Sequence, residues 1–256
     1  MLNSQIQLPT DTWIDATWEE YIRAIANPVY EKAKVYYHNG QLRIEMPPVG
    51  SEHARDNSII VVAVNLFGIV RGIPLNSLTN CSYRKTGIRE CQPDASYYIG
   101  ERADLAPRGA SIVDLNNNSA PDLVIEVANT SLAAESGGDF AESGGDFTVG
   151  VPPTDHHLFK TTDGGTPSDR QLFKTDDLDR KKTLYQELRV REYWVVNVQN
   201  CRIIAFAIVE GESQQITQSQ VLPGLTMALL EEALRRTRQV DQTQVGTWLL
   251  QQMQSL

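Results

Sequence analysis

The sequence predicts an α/β protein in which short strands alternate with amphipathic helices, and three observations carry this prediction. Four apolar residues of high strand propensity enclose a single carboxylate in the run from Leu123 to Val127, as in a buried strand. Asn39-Gly40 separates two strand-like runs, which is a strong hairpin signal. Thr17 and Glu20 have the spacing of a capping box, so a short helix is expected to start there.

The other elements follow from hydrophobic periodicity and from turn residues. We predict further helices at residues 52–67, 177–188, 227–236 and 242–253. We predict extended segments at residues 34–37, 41–46, 74–86, 92–99, 193–198 and 202–209. Strands and helices are therefore interspersed along the chain.

Length and composition describe an ordinary globular chain with an acidic surface. The 256 residues are 41% hydrophobic and 21% charged, which is enough to bury a core in one large domain or two small ones. The formal net charge of -9 argues against a broad nucleic-acid footprint. It does not exclude a nucleic-acid enzyme, because a carboxylate site that holds a divalent cation can lie in a locally basic cleft.

Cysteine usage and the longest apolar run point to a soluble, cytoplasmic protein without a membrane partner. The three cysteines lack a CxxC pair and form no zinc-ligand spacing with the four histidines, so reduced thiols are expected. The first residues lack the basic and apolar regions of a signal peptide. The longest apolar run, Ile59 to Val64, is far too short to span a membrane.

A low-complexity stretch interrupts the chain in its second half. The heptapeptide AESGGDF occurs in tandem at residues 134–140 and 141–147, and LFKT occurs at 158–161 and 172–175. Gly, Ser, Thr and Asp dominate this stretch without apolar periodicity, and loops of such length are uncommon in compact domains. We therefore predict one domain, residues 1–256, with a flexible low-complexity insertion at residues 132–175.

Three charged residues beside the strand-like runs suggest a chemical function. Asp94 follows a proline, Glu126 lies inside an apolar strand, and Lys181 or Lys182 lies on a following helix. Two carboxylates on neighbouring strands can hold Mg²⁺, and a nearby lysine can stabilise charge on a phosphate. That set is the minimum for metal-assisted phosphodiester hydrolysis.

Each of these residues also has a structural interpretation. Asp94 could cap a turn after Pro93, and Glu126 could be a structural glutamate with a hydrogen-bond partner. The lysines could belong to a solvated helix face. Asp122 stands in a second Pro-Asp pair, for which turn formation is favoured over metal binding. His53 opens a helix and is either a core-edge histidine or a phosphate contact.

The order of motifs along the chain adds specificity. The motifs are Thr17–Tyr21, Glu45-Met46-Pro47, Glu52-His53, Pro93-Asp94, Pro121–Val127 with Ser131, Asp177-Leu178, Lys181, Tyr185, Glu192–Val196 and Leu222–Leu225. In this order the chain resembles the Uma-two family of restriction endonucleases, which belongs to the PD-(D/E)XK nuclease superfamily. The resemblance covers roughly residues 17–230 and is interrupted by the insertion.

The resemblance implies a restriction endonuclease-like core, a small mixed α+β sheet flanked by helices, with a metal-dependent site. Asp94 and Glu126 would bind Mg²⁺ or Mn²⁺. Lys181, with Lys182 as the fallback, would orient a water and steady the phosphate, and Glu52 would assist as a further acid. The chain departs from the superfamily pattern at Ala128, where the (D/E)XK element has its lysine.

Two classes of function remain open from the sequence. The first is a Mg²⁺-dependent endonuclease that hydrolyses DNA, for which a homodimer would supply one site to each strand. The alternative is a catalytically inactive nuclease-fold protein acting as a DNA- or protein-interaction module, which the acidic charge, Ala128 and the insertion favour. A metal-dependent phosphoesterase acting on small nucleotides would use the same residues and cannot be separated from the first.

Overall fold

Helices and strands alternate in the computed structural model, which describes residues 7–47, 50–128 and 167–256, with side chains from residue 177 onward in the last range. The α-helices are α1 (Trp18–Ile25), α2 (Ser51–Arg71), α3 (Pro167–Glu187), α4 (Met227–Arg236) and α5 (Gln242–Gln254). Short 3-10 helices span Pro28–Tyr30 and Gly100–Leu105. Within these ranges, no helix has the length and apolar character needed to cross a membrane.

The strands of the described ranges form two six-stranded sheets. They are β1 (Trp13–Asp15), β2 (Lys34–His38), β3 (Gln41–Glu45), β4 (Leu75–Thr79), β5 (Tyr83–Lys85), β6 (Arg89–Cys91), β7 (Ala95–Ile99), β8 (Val113–Asp114), β9 (Leu123–Ala128), β10 (Glu192–Asn197), β11 (Arg202–Val209) and β12 (Glu212–Ile216). The hairpin sheet has the order β1-β3-β2-β6-β5-β8, and the central sheet has the order β12-β11-β10-β9-β7-β4. Both are mixed, because β9 pairs parallel with β10 and β5 pairs parallel with β8.

The central sheet separates two hydrophobic clusters. Leu123, Ile125 and Val127 pack with buried residues of α2, α4 and α5. Val124 alternates with them and packs on the opposite face, with Tyr36 of the hairpin sheet and residues of α3. Side chains alternate between faces along a strand, so Glu126 shares the face of Val124. The space between the two sheets is therefore where the single carboxylate of β9 lies.

Local signals in the sequence are confirmed where α1 and the first hairpin form. The Thr17 hydroxyl accepts a hydrogen bond from the Glu20 amide at 3.2 Å, and the Glu20 carboxylate accepts one from the Thr17 amide at 2.7 Å. Asn39 and Gly40, at φ of 49° and 74°, connect β2 to β3, as a two-residue hairpin turn requires. The predicted mixed α and β architecture is confirmed.

Two sheets form where the resemblance implied one small sheet. Residues 74–86, predicted as a single extended segment, form β4 in the central sheet and β5 in the hairpin sheet. Asn80 lies between them with φ of 51°, a left-handed conformation that turns the chain from one sheet to the other. The extended conformation predicted for this segment is confirmed within β4 and β5, and the left-handed residue that separates them has no hydrophobic pattern to reveal it.

The long helices also extend beyond their predicted limits. α2 continues past residue 67 to Arg71 because Gly68 lets it approach β4: a Cβ at Gly68 would lie 2.3 Å from Cδ2 of Leu75. Gly72, at φ of 63°, then ends the helix. α3 begins at Pro167 instead of residue 177, inside the predicted insertion, and proline is favoured in a first helical turn. The rest of that insertion lies outside the described residues.

Candidate active site

Three of the predicted site residues meet between the two sheets. Ala95 of β7 lies opposite Ile125 of β9 in an antiparallel pair, so the next register position sets Asp94 opposite Glu126. The Val127 amide donates to Oδ2 of Asp94 at 2.8 Å across this pair. Lys181 reaches the pair from α3, with its Nζ 3.6 Å from Oε2 of Glu126. All three side chains are buried.

Two tyrosine hydroxyls hold the Glu126 carboxylate. Tyr185 donates to Oε1 at 2.5 Å, and the Tyr36 hydroxyl lies 3.1 and 3.2 Å from the two carboxylate oxygens. Burial raises the pKa of Glu126, the Lys181 ammonium lowers it, and the charge of Asp94 raises it again, so that the pKa lies above its ordinary value. The two tyrosines thus fix the orientation of the Glu126 carboxylate. The positive charge of Lys181 does not fully offset burial and the negative charge of Asp94.

Lys181 is shared between two carboxylates. Its Nζ lies 3.0 Å from Oε1 of Glu45 and 4.2 Å from the centre of the Tyr36 ring. Burial lowers the pKa of Lys181, but the Glu126 and Glu45 carboxylates outweigh burial and raise it above its usual range. Lys181 therefore remains protonated near neutral pH, and it can act as a hydrogen-bond donor and a positive charge but not as a base.

Glu45 is in turn held by a second cation. Arg43 donates from Nε to Oε1 of Glu45 at 2.7 Å. Burial raises the pKa of Glu45, but the Lys181 and Arg43 cations lower it to about 2. Glu45 is therefore a permanently charged support for Lys181.

Asp94 is ionised and paired with a lysine. Nζ of Lys34 contacts Oδ1 of Asp94, and Nε2 of His53 lies 3.6 Å from Oδ2. Burial raises the pKa of Asp94, but the neighbouring His53 imidazole and the charge of Lys34 lower it to about 2. The two neighbouring carboxylates thus have opposite shifts, because Asp94 has its own counter-ion and Glu126 shares one.

The remaining predicted residues lie apart from this group. The Glu52 side chain is 45% exposed and forms ion pairs with Arg55 and Arg238 instead. Lys182 pairs with Asp179 at 2.8 Å on its own helix, so the structure brings Lys181 and not Lys182 to the carboxylates. The catalytic part expected of Glu52 stays a prediction.

Asp122 has structural contacts, in line with the preference against metal binding. Its Oδ2 accepts from the Ile99 amide at 2.8 Å, and its Oδ1 lies 2.7 Å from Nε of Arg102. The side chain is fully buried. Asp122 thus connects the start of β9 to the end of β7, through backbone and arginine contacts and not through a simple turn.

The carboxylate pair can supply oxygen ligands for a divalent cation. Mg²⁺ commonly binds through one or two carboxylates and keeps waters in its other positions. In residues 7–47, 50–128 and 177–256, no three or more His, Cys, Asp or Glu side chains are placed to share a metal. Asp94 and Glu126 are the two neighbouring carboxylates of this group that could serve as ligands of one cation. Burial raises the pKa of Glu126 and the charge of Asp94 adds to this shift, so a positive charge between the two carboxylates would relieve part of their repulsion.

A family model decides the relationship of this chain to known proteins. The model, described as "Uma2: Putative restriction endonuclease", matches residues 18–142 and 173–243. The chain belongs to the Uma2 family. This confirms the resemblance seen in the sequence, and the assignment agrees with a restriction endonuclease-like core. The interval between the two matched blocks lies inside the predicted insertion.

This Uma2 chain also has similarity to a solved structure. The crystal structure of "a putative nuclease belonging to DUF820" from Anabaena variabilis is similar to it, with a TM-score of 0.46 and 13% sequence identity. The similarity covers 91% of this chain and 99% of that one. No curated protein matches the chain.

The Uma2 site contains residues that sequence reasoning did not assign to it. Lys34, Tyr36 and Glu45 come from the first hairpin, Tyr185 comes from α3, and His53 was interpreted as a core-edge histidine or a phosphate contact. The spacing of these residues in the sequence indicates that they could share a site. Lys34 and Tyr36 are two residues apart and therefore lie on the same face of β2, and Tyr185 follows Lys181 by one helical turn.

The low pKa values in this Uma2 site predict a loss of stability in acid. A carboxylate whose pKa is lower in the folded protein stabilises the fold above its unfolded pKa and ceases to do so as the pH falls through the folded pKa. For Asp94, the shift from 3.8 to about 2 corresponds to about 2 kcal/mol. The free energy of unfolding should therefore fall between about pH 4 and pH 2.

Urea denaturation at several pH values measures this loss. Asp94→Asn should make the dependence below pH 4 shallower, because one of the two carboxylates of this site with a pKa of about 2 is gone while Glu45 still titrates. Glu126 has a raised pKa and the opposite sign, since its contribution is present in acid and lost as the pH rises above its unfolded value. An unchanged slope in Asp94→Asn would contradict the assignment of the acid transition to Asp94.

Proposed function

We propose that the protein is a Mg²⁺- or Mn²⁺-dependent endonuclease that hydrolyses DNA phosphodiester bonds. One observation carries the proposal: Asp94, Glu126 and Lys181, which lie far apart in the sequence, converge between the two sheets. Membership of a family described as restriction endonucleases supports nuclease activity. Burial in a site of low dielectric strengthens the electrostatic effect of each group on a reacting phosphate.

The two carboxylates have distinct tasks in this proposal. Asp94 is ionised at all physiological pH values and would be the permanent ligand. Glu126, whose carboxylate is oriented by Tyr36 and Tyr185, would be the second ligand. A bound divalent cation would activate the attacking water and neutralise charge on the phosphate. Because the tyrosines already fix Glu126, little reorientation would be needed on binding.

Lys181 would act on the water and on the phosphate. Its protonated ammonium lies beside Glu126 and can donate one hydrogen bond to the attacking water and another to a phosphate oxygen. The water would lose a proton to solvent and its oxygen would form a bond to phosphorus, while the bond from phosphorus to the leaving sugar oxygen breaks and that oxygen takes up a proton from solvent. The helix α3 thereby would supply the lysine that the (D/E)XK pattern places at position 128, which here is Ala128.

The proposed enzyme would also have an assisting acid, Glu52, a dimeric state and a cytoplasmic location. Glu52 would assist through charge at the first turn of α2, one residue before His53. A homodimer would present one site to each DNA strand. The three free cysteines suit the reducing cytoplasm.

Metal binding and plasmid cleavage together test the proposal. The native chain should bind Mn²⁺ in a calorimetric titration and cleave plasmid DNA with Mg²⁺ or Mn²⁺ but not with a chelator. Asp94→Asn and Glu126→Gln should each bind Mn²⁺ at least about 10-fold more weakly and cleave more slowly, because each removes one anionic ligand. Equal cleavage by the native chain and both variants would sink the proposal.

A catalytically inactive interaction module is the second candidate, and one observation favours it. Each oxygen of the two carboxylates already has a protein donor, and both acids are at least 95% buried. Such a site could serve only to hold the two sheets together. A titration that shows no carboxylate-dependent cation binding by the native chain would favour this candidate.

A further inference from the structure

Lys34 is the closest cation to Asp94, and it reaches that carboxylate from the hairpin sheet. Its Nζ contacts Oδ1 of Asp94. The Asp94 side chain is 4% exposed, whereas the Lys34 side chain is 19% exposed. The lysine thus lies at the rim of the site, with its head group on the buried acid and a larger exposed fraction than that acid.

The two oxygens of Asp94 differ in how firmly they are held. Oδ2 accepts from the Val127 amide, which is part of the backbone of β9 and cannot move away without disturbing the central sheet. Oδ1 is held by Lys34, whose four-carbon stem is flexible and whose ammonium is strongly hydrated when free. Oδ1 is therefore the oxygen that can be released to another cation.

Lys181 differs from Lys34 in this respect. Its ammonium lies between Glu45 and Glu126 and over the ring of Tyr36, so three groups hold it in place. Removal of Lys181 would leave Glu126 without its closest cation and Glu45 with Arg43 alone, whereas displacement of Lys34 by a cation would leave Asp94 paired.

We propose that Lys34 occupies the position of the divalent cation on Asp94 and that cation binding displaces it. This inference rests on the proposed function, because it assumes a cation between Asp94 and Glu126. Lys34 neutralises the buried acid while no cation is bound, so the two neighbouring carboxylates can fold together. The same contact makes Lys34 a competitor that weakens cation binding.

Substitution of Lys34 by methionine tests both roles of the lysine, which are neutralisation of Asp94 without a cation and competition with a bound cation. Lys34→Met retains an apolar stem of similar length but has no charge. Its Mn²⁺ affinity in a calorimetric titration should rise at least about 10-fold, because the competitor is gone. Without a cation, the thermal unfolding midpoint of Lys34→Met should be lower than that of the native chain. Saturating Mn²⁺ should raise the midpoint of Lys34→Met by more than it raises the midpoint of the native chain.

Three further variants make the result specific. Lys182→Met removes one positive charge from the neighbouring helix but has no contact with the acids, and it should leave the Mn²⁺ affinity unchanged. Lys34→Arg keeps the charge and should not gain affinity. Lys34→Gln can still donate to Asp94, so it provides a folded uncharged variant if Lys34→Met does not fold.

The outcomes separate this inference from the proposed function. Equal Mn²⁺ affinity and equal thermal gain in the native chain and in the uncharged Lys34 variants would overturn the role of Lys34 and leave the proposed function intact. A gain of affinity in Lys182→Met as large as in Lys34→Met would also overturn it, since net charge alone would then explain the effect. Absence of Mn²⁺ binding in every variant would overturn the proposed function itself.

Discussion

Replacement of Lys181 by methionine is expected to lower the rate of DNA cleavage by about 100- to 1,000-fold, the loss typical when one preorganised electrostatic donor is removed from an active site. The ammonium lies in a buried position, 3.6 Å from Oε2 of Glu126, where under the proposed function its charge would act on the phosphate with little screening by water. Methionine fills a similar volume without the charge. The loss should therefore fall on the chemical step.

The adjacent lysine provides a matched control for this experiment. Lys182→Met makes the same change one residue away, at a side chain that pairs with Asp179 outside the site, and should keep nearly full activity. Single-turnover cleavage with saturating Mn²⁺ measures the chemical step, and a calorimetric titration shows whether Lys181→Met still binds the cation. Similar rates for the two variants would mean that Lys181 has no part in the reaction.

The choice between Lys181 and Lys182 shows where sequence reasoning about the site ends. Adjacent residues on an α-helix point about 100° apart, so one of them had to face the sheets. Motif order favoured Lys181, but only the packing of α3 against Glu45, Glu126 and Tyr36 brings that residue to the carboxylates. Asp94 and Glu126 were easier to find, because an acid in an apolar strand or beside a Pro-Asp turn is conspicuous.

The same limit applies to the fold. The capping box of α1 and the Asn-Gly turn of the first hairpin are local signals, and both were read from a few residues. The five-residue strand β12 was missed, and so were β1, β6 and β8, which span only three, three and two residues. Strands of this length have no periodicity of their own and form because a neighbouring strand offers hydrogen bonds, which depends on contacts distant in sequence.

The position of Lys34 shows both the limit for predicting the site and the limit for predicting the fold from sequence. It opens a correctly predicted strand, yet nothing local links it to Asp94, which is on another sheet. Lys34 and Tyr36 lie on the same face of β2, but this pattern predicts a contact with the site only when that face is known to cover β7 and β9. Polar side chains two residues apart on a strand that packs over a candidate carboxylate are therefore candidate site residues, as are the residues of the sequence motif.

Replacement of Glu192 by alanine is expected to destabilise the fold by about 3 to 5 kcal/mol, because several buried neutral donors lose their acceptor at once. The Glu192 carboxylate is fully buried and accepts from Nε1 of Trp194, Oγ of Ser219 and the Val221 amide, each at 2.9 Å, and from the Gln220 amide. Alanine would leave these donors without an acceptor, at a cost of about 1 to 3 kcal/mol for each one that water cannot reach.

Urea denaturation of paired variants measures this effect and separates it from the site. Glu212→Ala changes an exposed glutamate of β12 and should shift the free energy of unfolding by no more than about 0.5 kcal/mol. Glu192→Gln keeps one acceptor oxygen and should lose less stability than Glu192→Ala. Since Glu192 fastens residues 219–221 to the central sheet and does not contact the carboxylate pair, any Glu192→Ala protein that remains folded should keep its Mn²⁺ affinity. A stable Glu192→Ala protein would show that water replaces the carboxylate in this network.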